Sequence, residues 1–483
     1  MVLRPDSARV FFRPFELTNR ERVIRILARV MALSETEAER ETRRILRDFV
    51  ARHQKLREFL MKRCDQVCAE LPTDAPLTEY RRLLIGAYLT QEYSLEAAAL
   101  FNPSIVPHPD QSGLPEGSLR FVLSLRATGE GHVSSIVFRT GEVDRGGRVS
   151  VNQPTPFVSA ADAHPNPSYE KKLFERKLAE LGLLSSFAAA ILLQVDDVFT
   201  WEQFQRTVER ALRRDRLLRA EEHTVARGML ALARANYEVS FEGTARFSER
   251  VIFPNSPAES RGIEDARFVR FREDDGCLTY YATFTAFDGQ VALPQLLETS
   301  DFVRFKISTL NGPEIQNKGM ALFPRRVQGH YAMLSRQDNE NLFLMYSDML
   351  HFWYEKRLLL RPTYPWEFVQ IGNCGSPIET ESGWLVLTHG VGPMRRYAIG
   401  AVLLDRDDPS RVIGRLRQPL LIPTEREREG YVPNVVYSCG ALIHAGLLIL
   451  PYAMSDQCAS FATVPAKELL DELIENPPDS LRS

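Results

Sequence analysis

A β-hairpin pattern returns along this chain at a nearly constant spacing, and the repeat limits the possible fold more than any other feature. One hairpin runs from Phe268 to Phe271, turns at Gly276 and returns from Leu278 to Phe284 with period-two alternation. Similar hairpins follow, with turns at Gln328-Gly329, Ser382-Gly383 and Ala445-Gly446. The repeat markers Asp265, Met320, Ser376 and Val435 are separated by 55, 56 and 59 residues. Such a period, with several short strands in each unit, is typical of β-propeller blades.

An earlier copy of the pattern raises the number of units to five. It begins at Asn102-Pro103-Ser104, returns from Arg120 to Arg126 and continues with a strand from Ser134 to Arg139. We therefore predict a mainly β fold, a five-bladed β-propeller spanning residues 101–464. Several returning strands end in polar residues, which predicts that side chains from separate blades converge on one site: Arg126, Arg336, His389 and Asp456.

Two adjacent carboxylates, Glu264 and Asp265, precede the second hairpin, and Arg267 follows them. Because neighbouring residues of a strand point to opposite faces, Asp265 and Arg267 are expected on one face and Glu264 on the other. A salt bridge at the entrance of a strand is the structural alternative to a reactive carboxylate.

Three segments outside the β pattern are predicted to be helical. Residues 1–100 form an N-terminal region in which Ser34 begins one helix as N-cap and another helix runs from Leu77 through Leu100. A helical insertion at about 160–238, whose first helix is predicted to begin at Asn166-Pro167, separates the first two blades. Residues 465–483 are predicted to form a C-terminal helix and tail. These helical regions are candidate surfaces for substrate access or self-association, and the sequence does not choose between them.

Composition and charge exclude several classes of protein. The net charge of −3 with 25% charged residues gives no basic field for nucleic acid. Residues 1–16 lack the apolar core of a signal peptide, and no apolar run is long enough to span a bilayer. Only Cys64 and Cys68 of the six cysteines are close in sequence, and no partners stand at zinc spacing. We expect reduced thiols, no metal, no membrane partner and a cytoplasmic location.

Several motifs, in order along the chain, resemble glycoside hydrolase family 130, whose members are five-bladed propeller β-mannoside phosphorylases and some β-mannosidases. The resemblance covers roughly residues 100 to 465, and the long N-terminus and the insertion look most like the β-1,2-oligomannan branch. The motifs are Asn102-Pro103-Ser104, Gly262 to Arg267, Lys318 with Leu322-Phe323-Pro324, Gly383-Trp384 with His389-Gly390, and Tyr452 with Asp456.

The resemblance implies an inverting phosphorolysis that yields α-mannose 1-phosphate. A phosphorylase needs one carboxylic acid, because anionic phosphate replaces an activated water, and it needs cations to hold that phosphate. The family implies that Asp265 is the general acid, acting directly or through a sugar hydroxyl. It implies phosphate binding by Lys318, Arg336 and His389, and binding of the mannosyl unit by Asn102, Ser104, Arg126 and Asp456. The predicted partners are a manno-oligosaccharide and inorganic phosphate as co-substrate, with no organic cofactor.

Other readings stay open at the level of sequence. A β-mannoside hydrolase would need a base, for which Glu130 and Glu379 are candidates, and a non-catalytic sugar-binding propeller would use aromatic residues such as Trp384 and Tyr452. The role of Arg267 is open, because a neighbouring guanidinium keeps a carboxylate ionised. Each site candidate also has a structural interpretation: Arg336 and Lys318 as surface residues, His389 as a core histidine, Asp456 as a turn cap and Arg126 as an ion pair between blades.

Overall fold

The computed structural model describes residues 1–17, 19–68, 76–165, 168–214, 219–243 and 245–477. These residues are mainly β, as predicted, with thirty strands and nine α-helices. Within them, no helix has the length and apolar character required to cross a lipid bilayer. Cys277, Cys374, Cys439 and Cys458 are free thiols, whereas the side chain of Cys68 lies outside the description.

The N-terminal region combines helices with strands. Its elements are β1 (Val2–Leu3), β2 (Val10–Pro14), α1 (Arg20–Met31), α2 (Glu35–Phe49), α3 (Leu56–Cys68), α4 (Glu79–Tyr88) and β3 (Thr90–Ser94). Ser34 caps α2 as predicted, in a capping box with Glu37. The predicted helix through Leu100 is wrong, because α4 ends at Tyr88 and β3 pairs with β2. That pairing buries Tyr93 beside Phe11, a non-local contact that outweighs local helix propensity.

Sheet 1 is the first repeat unit, and an insertion separates it from the second. Sheet 1 contains β4 (Ala99–Pro107), β5 (Leu119–Thr128), β6 (Ser134–Val143) and β7 (Val149–Val151). The insertion contains β8 (Ser159–Ala160), β9 (Asp162–Pro165), β10 (Tyr169–Glu170), α5 (Lys171–Glu180), α6 (Ser186–Leu192), β11 (Val198–Phe199), α7 (Trp201–Arg214), α8 (Ala220–Arg234), β12 (Tyr237–Ser240) and β13 (Arg250–Ile252). Asn166 and Pro167, predicted to begin a helix, lie outside the described residues.

Four further sheets follow, and each predicted hairpin is present. Sheet 2 contains β14 (Gly262–Arg272), β15 (Leu278–Phe287), β16 (Ala292–Thr299) and β17 (Arg304–Thr309), extended at its outer edge by β12 and β9. It is continuous with sheet 1 through one parallel pair, Gly262 of β14 with Ser134 of β6. Sheet 3 contains β18 (Lys318–Leu322), β19 (Tyr331–Arg336), β20 (Leu342–Ser347) and β21 (Lys356–Leu360). Sheet 4 contains β22 (Gln370–Asn373), β23 (Ile378–Thr380), β24 (Gly383–Val391), β25 (Tyr397–Leu404) and β26 (Val412–Arg415).

Sheet 5 joins the two ends of the described chain. It contains β27 (Val436–Tyr437), β28 (Leu442–His444), β29 (Leu447–Met454) and β30 (Cys458–Pro465), and α9 (Ala466–Glu475) follows it. The N-terminal strand β1 pairs antiparallel with β30 and completes this sheet. The last residues of the predicted tail, 478–483, lie outside the description.

Consecutive sheets contact one another, and sheet 5 contacts sheet 1. Backbone hydrogen bonds of 2.8–3.0 Å join neighbouring sheets: Arg272 N to Pro324 O, Ile371 N to Glu340 O, Tyr397 N to Asn434 O, and Cys439 N to Pro103 O. Buried apolar clusters fill the spaces between them, for example Phe323 against Trp384 between sheets 3 and 4. A cavity of about 320 Å³ is lined by residues of sheets 1, 2, 4 and 5 and by Pro324 and Arg325, which follow the first strand of sheet 3. We call it the central cavity.

Candidate functional site

The first strands of sheets 1, 2 and 3 share a local irregularity at the same end. Their ladders shift register between Phe101 and Ser104, between Glu264 and Arg267, and between Lys318 and Ala321. A residue with left-handed backbone lies in each shift: Asn102 (φ 49°), Asp265 (φ 53°) and Gly319 (φ 93°). A β-bulge re-aims the side chains around it. These three bulges therefore gather polar groups of different sheets into one place.

Asp265 lies at the centre of this place and is buried. Asn102 donates from Nδ2 to Asp265 Oδ1 over 2.7 Å, and Arg126 Nη1 lies 3.4 Å from the same oxygen. Burial by itself raises the pKa of Asp265, but the charges of Arg126, Arg267 and Lys318 and the bond from Asn102 outweigh it and lower the pKa to about 2. The carboxylate is therefore ionised in the free protein.

Glu264 faces the same cations as Asp265, so the predicted separation of the two carboxylates onto opposite faces is wrong. Arg126 Nη2 donates to Glu264 Oε1 over 2.9 Å, and Lys318 Nζ lies 3.6 Å from Glu264 Oε2. The alternation fails because the bulge inserts a left-handed residue between Glu264 and Arg267. Arg126 thus forms an ion pair between sheets 1 and 2 and also contacts Asp265.

Arg267 is almost completely buried beneath Asp265. Its Nη1 donates to the backbone oxygen of Asp265 over 3.2 Å, and its Nη2 donates to Tyr437 Oη over 2.6 Å. Arg267 therefore contacts the backbone of the carboxylate residue rather than its side chain. Tyr437 was not recognised in the sequence, since a buried tyrosine of a two-residue strand carries no distinguishing local pattern.

Lys318, Arg336 and His389, which we call the basic cluster, come from sheets 3 and 4. Lys318 is paired with Arg336 in the ladder of β18 and β19, and Arg336 Nη1 lies 3.2 Å from His389 Nε2. Burial, followed by the nearby guanidinium of Arg336, lowers the pKa of His389 well below its usual value, so the imidazole is neutral.

Arg336 carries the strongest indication of an anion site. Only 6% of the residue is exposed, which excludes the interpretation as a surface residue. Within the described part of the chain it forms no ion pair with a carboxylate, and its Nε has no hydrogen-bond partner. A buried, unpaired guanidinium is costly unless an anion binds it.

Asp456 and Ser104 differ in their access to this site. Asp456 is half-buried with φ 50°, directly after β29. Burial and the charge of Asp265 raise the pKa of Asp456 to about 6, against the opposing charges of Arg126 and other cations. Ser104, in contrast, is fully buried, and its Oγ accepts a hydrogen bond from Phe268 N over 3.0 Å. This hydrogen bond connects sheets 1 and 2, so it favours a structural role for Ser104 over the predicted contact with substrate.

The residues of the alternative functions lie elsewhere. Glu379 accepts hydrogen bonds from Arg325 over 2.6 and 3.1 Å and lines the central cavity together with Arg270. Arg270 stands five residues beyond Asp265, about 16 Å along an extended strand. Glu130 is exposed on the turn between β5 and β6. Trp384 is fully buried in the core, so it offers no surface for sugar stacking.

The fold and the site define a β protein of repeated sheets with a buried, ionised carboxylate near a cluster of basic side chains. A family model for glycoside hydrolase family 130, described as beta-1,4-mannooligosaccharide phosphorylase, matches residues 216–475. The match covers more than half of the chain, and the protein belongs to this family. The matched segment includes Asp265, the basic cluster and Asp456 but not Asn102, Ser104 or Arg126.

Individual relatives are similar over about half of the chain. A 1,2-beta-oligomannan phosphorylase from a Thermoanaerobacter species is 34% identical over 49% of this chain and 80% of its own length. A beta-1,2-mannobiose phosphorylase from Listeria innocua is 31% identical over 46% of this chain and 63% of its own length. The solved structure of a Listeria innocua beta-1,2-mannobiose phosphorylase with beta-1,2-mannobiose has a TM-score of 0.47 at 22% identity, covering 79% of this chain and 93% of that one.

Proposed function

We propose that this protein is an inverting phosphorylase that cleaves β-mannosides with inorganic phosphate and releases α-mannose 1-phosphate. The observation that carries the proposal is Arg336, a buried cation without a carboxylate partner in the described residues. It is paired in its sheet with Lys318, whose charge acts on Asp265, and it contacts His389. Phosphate is an anion that a guanidinium binds with two parallel hydrogen bonds. Membership of family 130 and the names of the relatives support the same reaction class.

The proposed reaction is a single displacement. Phosphate bound by the basic cluster attacks the anomeric carbon of the mannosyl unit, and the leaving oxygen takes a proton from Asp265 directly or through a sugar hydroxyl. The proposal assigns the mannosyl unit to Asn102, Arg126 and Asp456. Dianionic phosphate brings negative charge next to the cations that lower the pKa of Asp265, and it therefore raises that pKa toward the range an acid needs.

The same proposal includes a five-bladed propeller as the scaffold. It is supported by the backbone hydrogen bonds that join sheet 2 to 3, 3 to 4, 4 to 5 and 5 to 1, and by the pairing of β6 with β14 between sheets 1 and 2. The central cavity, which has lining residues from all five repeat units, also supports it. The pairing of β1 with β30 also supports a propeller, because the first strand of the chain then completes the last blade and closes the ring of blades.

We propose β-1,2-linked manno-oligosaccharides as the substrates, on the strength of two relatives named for this linkage. The family model is described by the β-1,4 linkage, so the two linkages need a direct comparison. Hydrolysis has less support, because Glu379 is bound to Arg325 in the lining of the central cavity, which does not include Asp265, and no observation directs Glu130 to the site.

The test is incubation with β-1,2-mannobiose or β-1,4-mannobiose, each with and without inorganic phosphate, followed by analysis of the products. We expect mannose 1-phosphate only when phosphate is present, and faster release from the β-1,2 substrate. Arg336→Met should raise the KM for phosphate by at least tenfold, whereas Arg139→Met, another buried arginine, should not change this KM. Free mannose released at the same rate without phosphate would refute phosphorolysis.

A further inference from the structure

A continuous set of buried contacts links the basic cluster to the backbone of Asp265. The ring of His389 packs edge-on against the ring of Tyr437, with centroids 4.9 Å apart. Tyr437 Oη accepts the hydrogen bond from Arg267 Nη2, and Arg267 Nη1 donates to the carbonyl of Asp265. The contacts therefore pass from sheet 4 through sheet 5 to sheet 2.

These contacts end on the backbone of Asp265, which has a left-handed conformation inside a strand. Asp265 has φ 53°, a region that aspartate tolerates better than most residues but that is still less favourable than extended backbone. The ladder of β14 and β15 is interrupted between Glu264 and Arg267, so regular strand pairing does not fix Asp265. The hydrogen bond from Arg267 Nη1 to the carbonyl of Asp265 restrains the backbone where the hydrogen bonds of the strand ladder are interrupted.

We infer that Arg267 and Tyr437 are positioning residues, which hold Asp265 in the orientation for proton transfer and connect that orientation to the basic cluster. The inference rests on the proposed function. It gives Arg267 the role that its sequence position left open. Neither side chain is assigned a contact with phosphate or sugar, since the hydrogen bonds of Arg267 go to the carbonyl of Asp265 and to Tyr437 Oη.

The assay compares kcat with the KM values for phosphate and mannoside. Arg267→Lys keeps the positive charge but loses the planar fork that contacts two groups at once. Tyr437→Phe keeps the buried ring and removes only the hydroxyl. We expect both variants to lower kcat at least tenfold while both KM values stay within threefold, because a misplaced acid slows the chemical step without weakening binding.

Two matched controls lose similar buried hydrogen bonds elsewhere. Arg250 donates to the backbone oxygens of Ala245 and Phe302, and Tyr280 Oη donates to Pro107 O over 2.9 Å. Arg250→Lys and Tyr280→Phe should keep kcat within twofold of the wild type. If Arg267→Lys does not fold, Tyr437→Phe still decides the question, since it leaves the packing of the ring intact.

A double-mutant cycle tests the connection to the basic cluster. At saturating phosphate, the effects on kcat of Tyr437→Leu, which removes the ring that contacts His389, and of His389→Gln should be non-additive, whereas those of Tyr280→Leu and His389→Gln should add. The inference would be overturned by a wild-type kcat in Tyr437→Phe, by equal losses in the controls, or by additive effects in the cycle. A wild type that releases no mannose 1-phosphate would instead refute the proposed function, and the positioning role with it.

Discussion

Replacing Asp456 with asparagine should stabilise the protein at alkaline pH and not at acidic pH. The folded protein raises the pKa of this carboxyl to about 6, from an ordinary value of 3.8, because of burial and the charge of Asp265. A tenfold change in a proton equilibrium corresponds to about 1.4 kcal/mol, so ionised Asp456 lowers the free energy of unfolding by ~2–3 kcal/mol. A strained, buried carboxylate of this kind is typical of a functional site.

The sign of this effect depends on pH. A carboxyl whose pKa is raised in the folded state favours folding only while it is protonated, so its relative contribution is lost as pH rises through about 6. Below about pH 3, Asp456 is mostly protonated in both states and resembles asparagine. We expect Asp456→Asn to raise Tm by a few degrees at pH 8 and to leave it unchanged at pH 3, measured by differential scanning fluorimetry.

The exposed Asp407 provides the control, because Asp407→Asn should change Tm at neither pH. The same gain at both pH values would show that packing of the amide, rather than charge, explains the stabilisation. A lower Tm of Asp456→Asn at pH 8 would refute the electrostatic reasoning. The variant should also lose activity, since the proposed function assigns Asp456 to the mannosyl unit.

Two further substitutions test the placement of the site. Glu379→Gln should keep mannoside turnover within twofold and lower the free energy of unfolding by ~1–2 kcal/mol, because it leaves Arg325 without its carboxylate partner in the lining of the central cavity. A large loss of turnover would contradict the placement of Glu379 outside the site. Gly319→Ala should raise the KM for phosphate several-fold, because it strains a φ of 93° beside Arg336. Gly329→Ala, with φ 82° in open space, should cost similar stability and leave that KM unchanged.

The hairpin repeat was predictable because strand alternation and turn residues are local signals. Gln328, Gly329, Ala445 and Gly446 all adopt left-handed backbone in the turns where the sequence predicted them. The converging polar strand ends were predictable for the same reason. Regular spacing places equivalent residues at equivalent ends of successive strands, and Arg126, Arg336 and His389 do lie at or near the site.

The interior of the site was less accessible from sequence, because bulges and non-local pairing determine it. Alternation placed Glu264 away from Asp265, and the bulge brings both carboxylates to Arg126. The two-residue strand β1 gives no sequence signal, since only the free edge of β30 makes it a strand. A weak signal did exist for the bulges: asparagine, aspartate and glycine, the residues most tolerant of left-handed backbone, occupy all three.

The charges of the free site explain why phosphate suits it better than a neutral nucleophile. The cations of the site are four: Arg126, Arg267, Lys318 and Arg336. The carboxylates that oppose them are Glu264, Asp265 and, when ionised, Asp456. The cations are in excess whether or not Asp456 is ionised, and Arg336 has no carboxylate partner among the described residues. Water leaves this excess uncompensated in a buried place, whereas a phosphate dianion neutralises it. The same anion weakens the field that keeps Asp265 ionised. Binding of the nucleophile and protonation of the acid are therefore linked through Lys318, which belongs to the basic cluster and also lowers the pKa of Asp265.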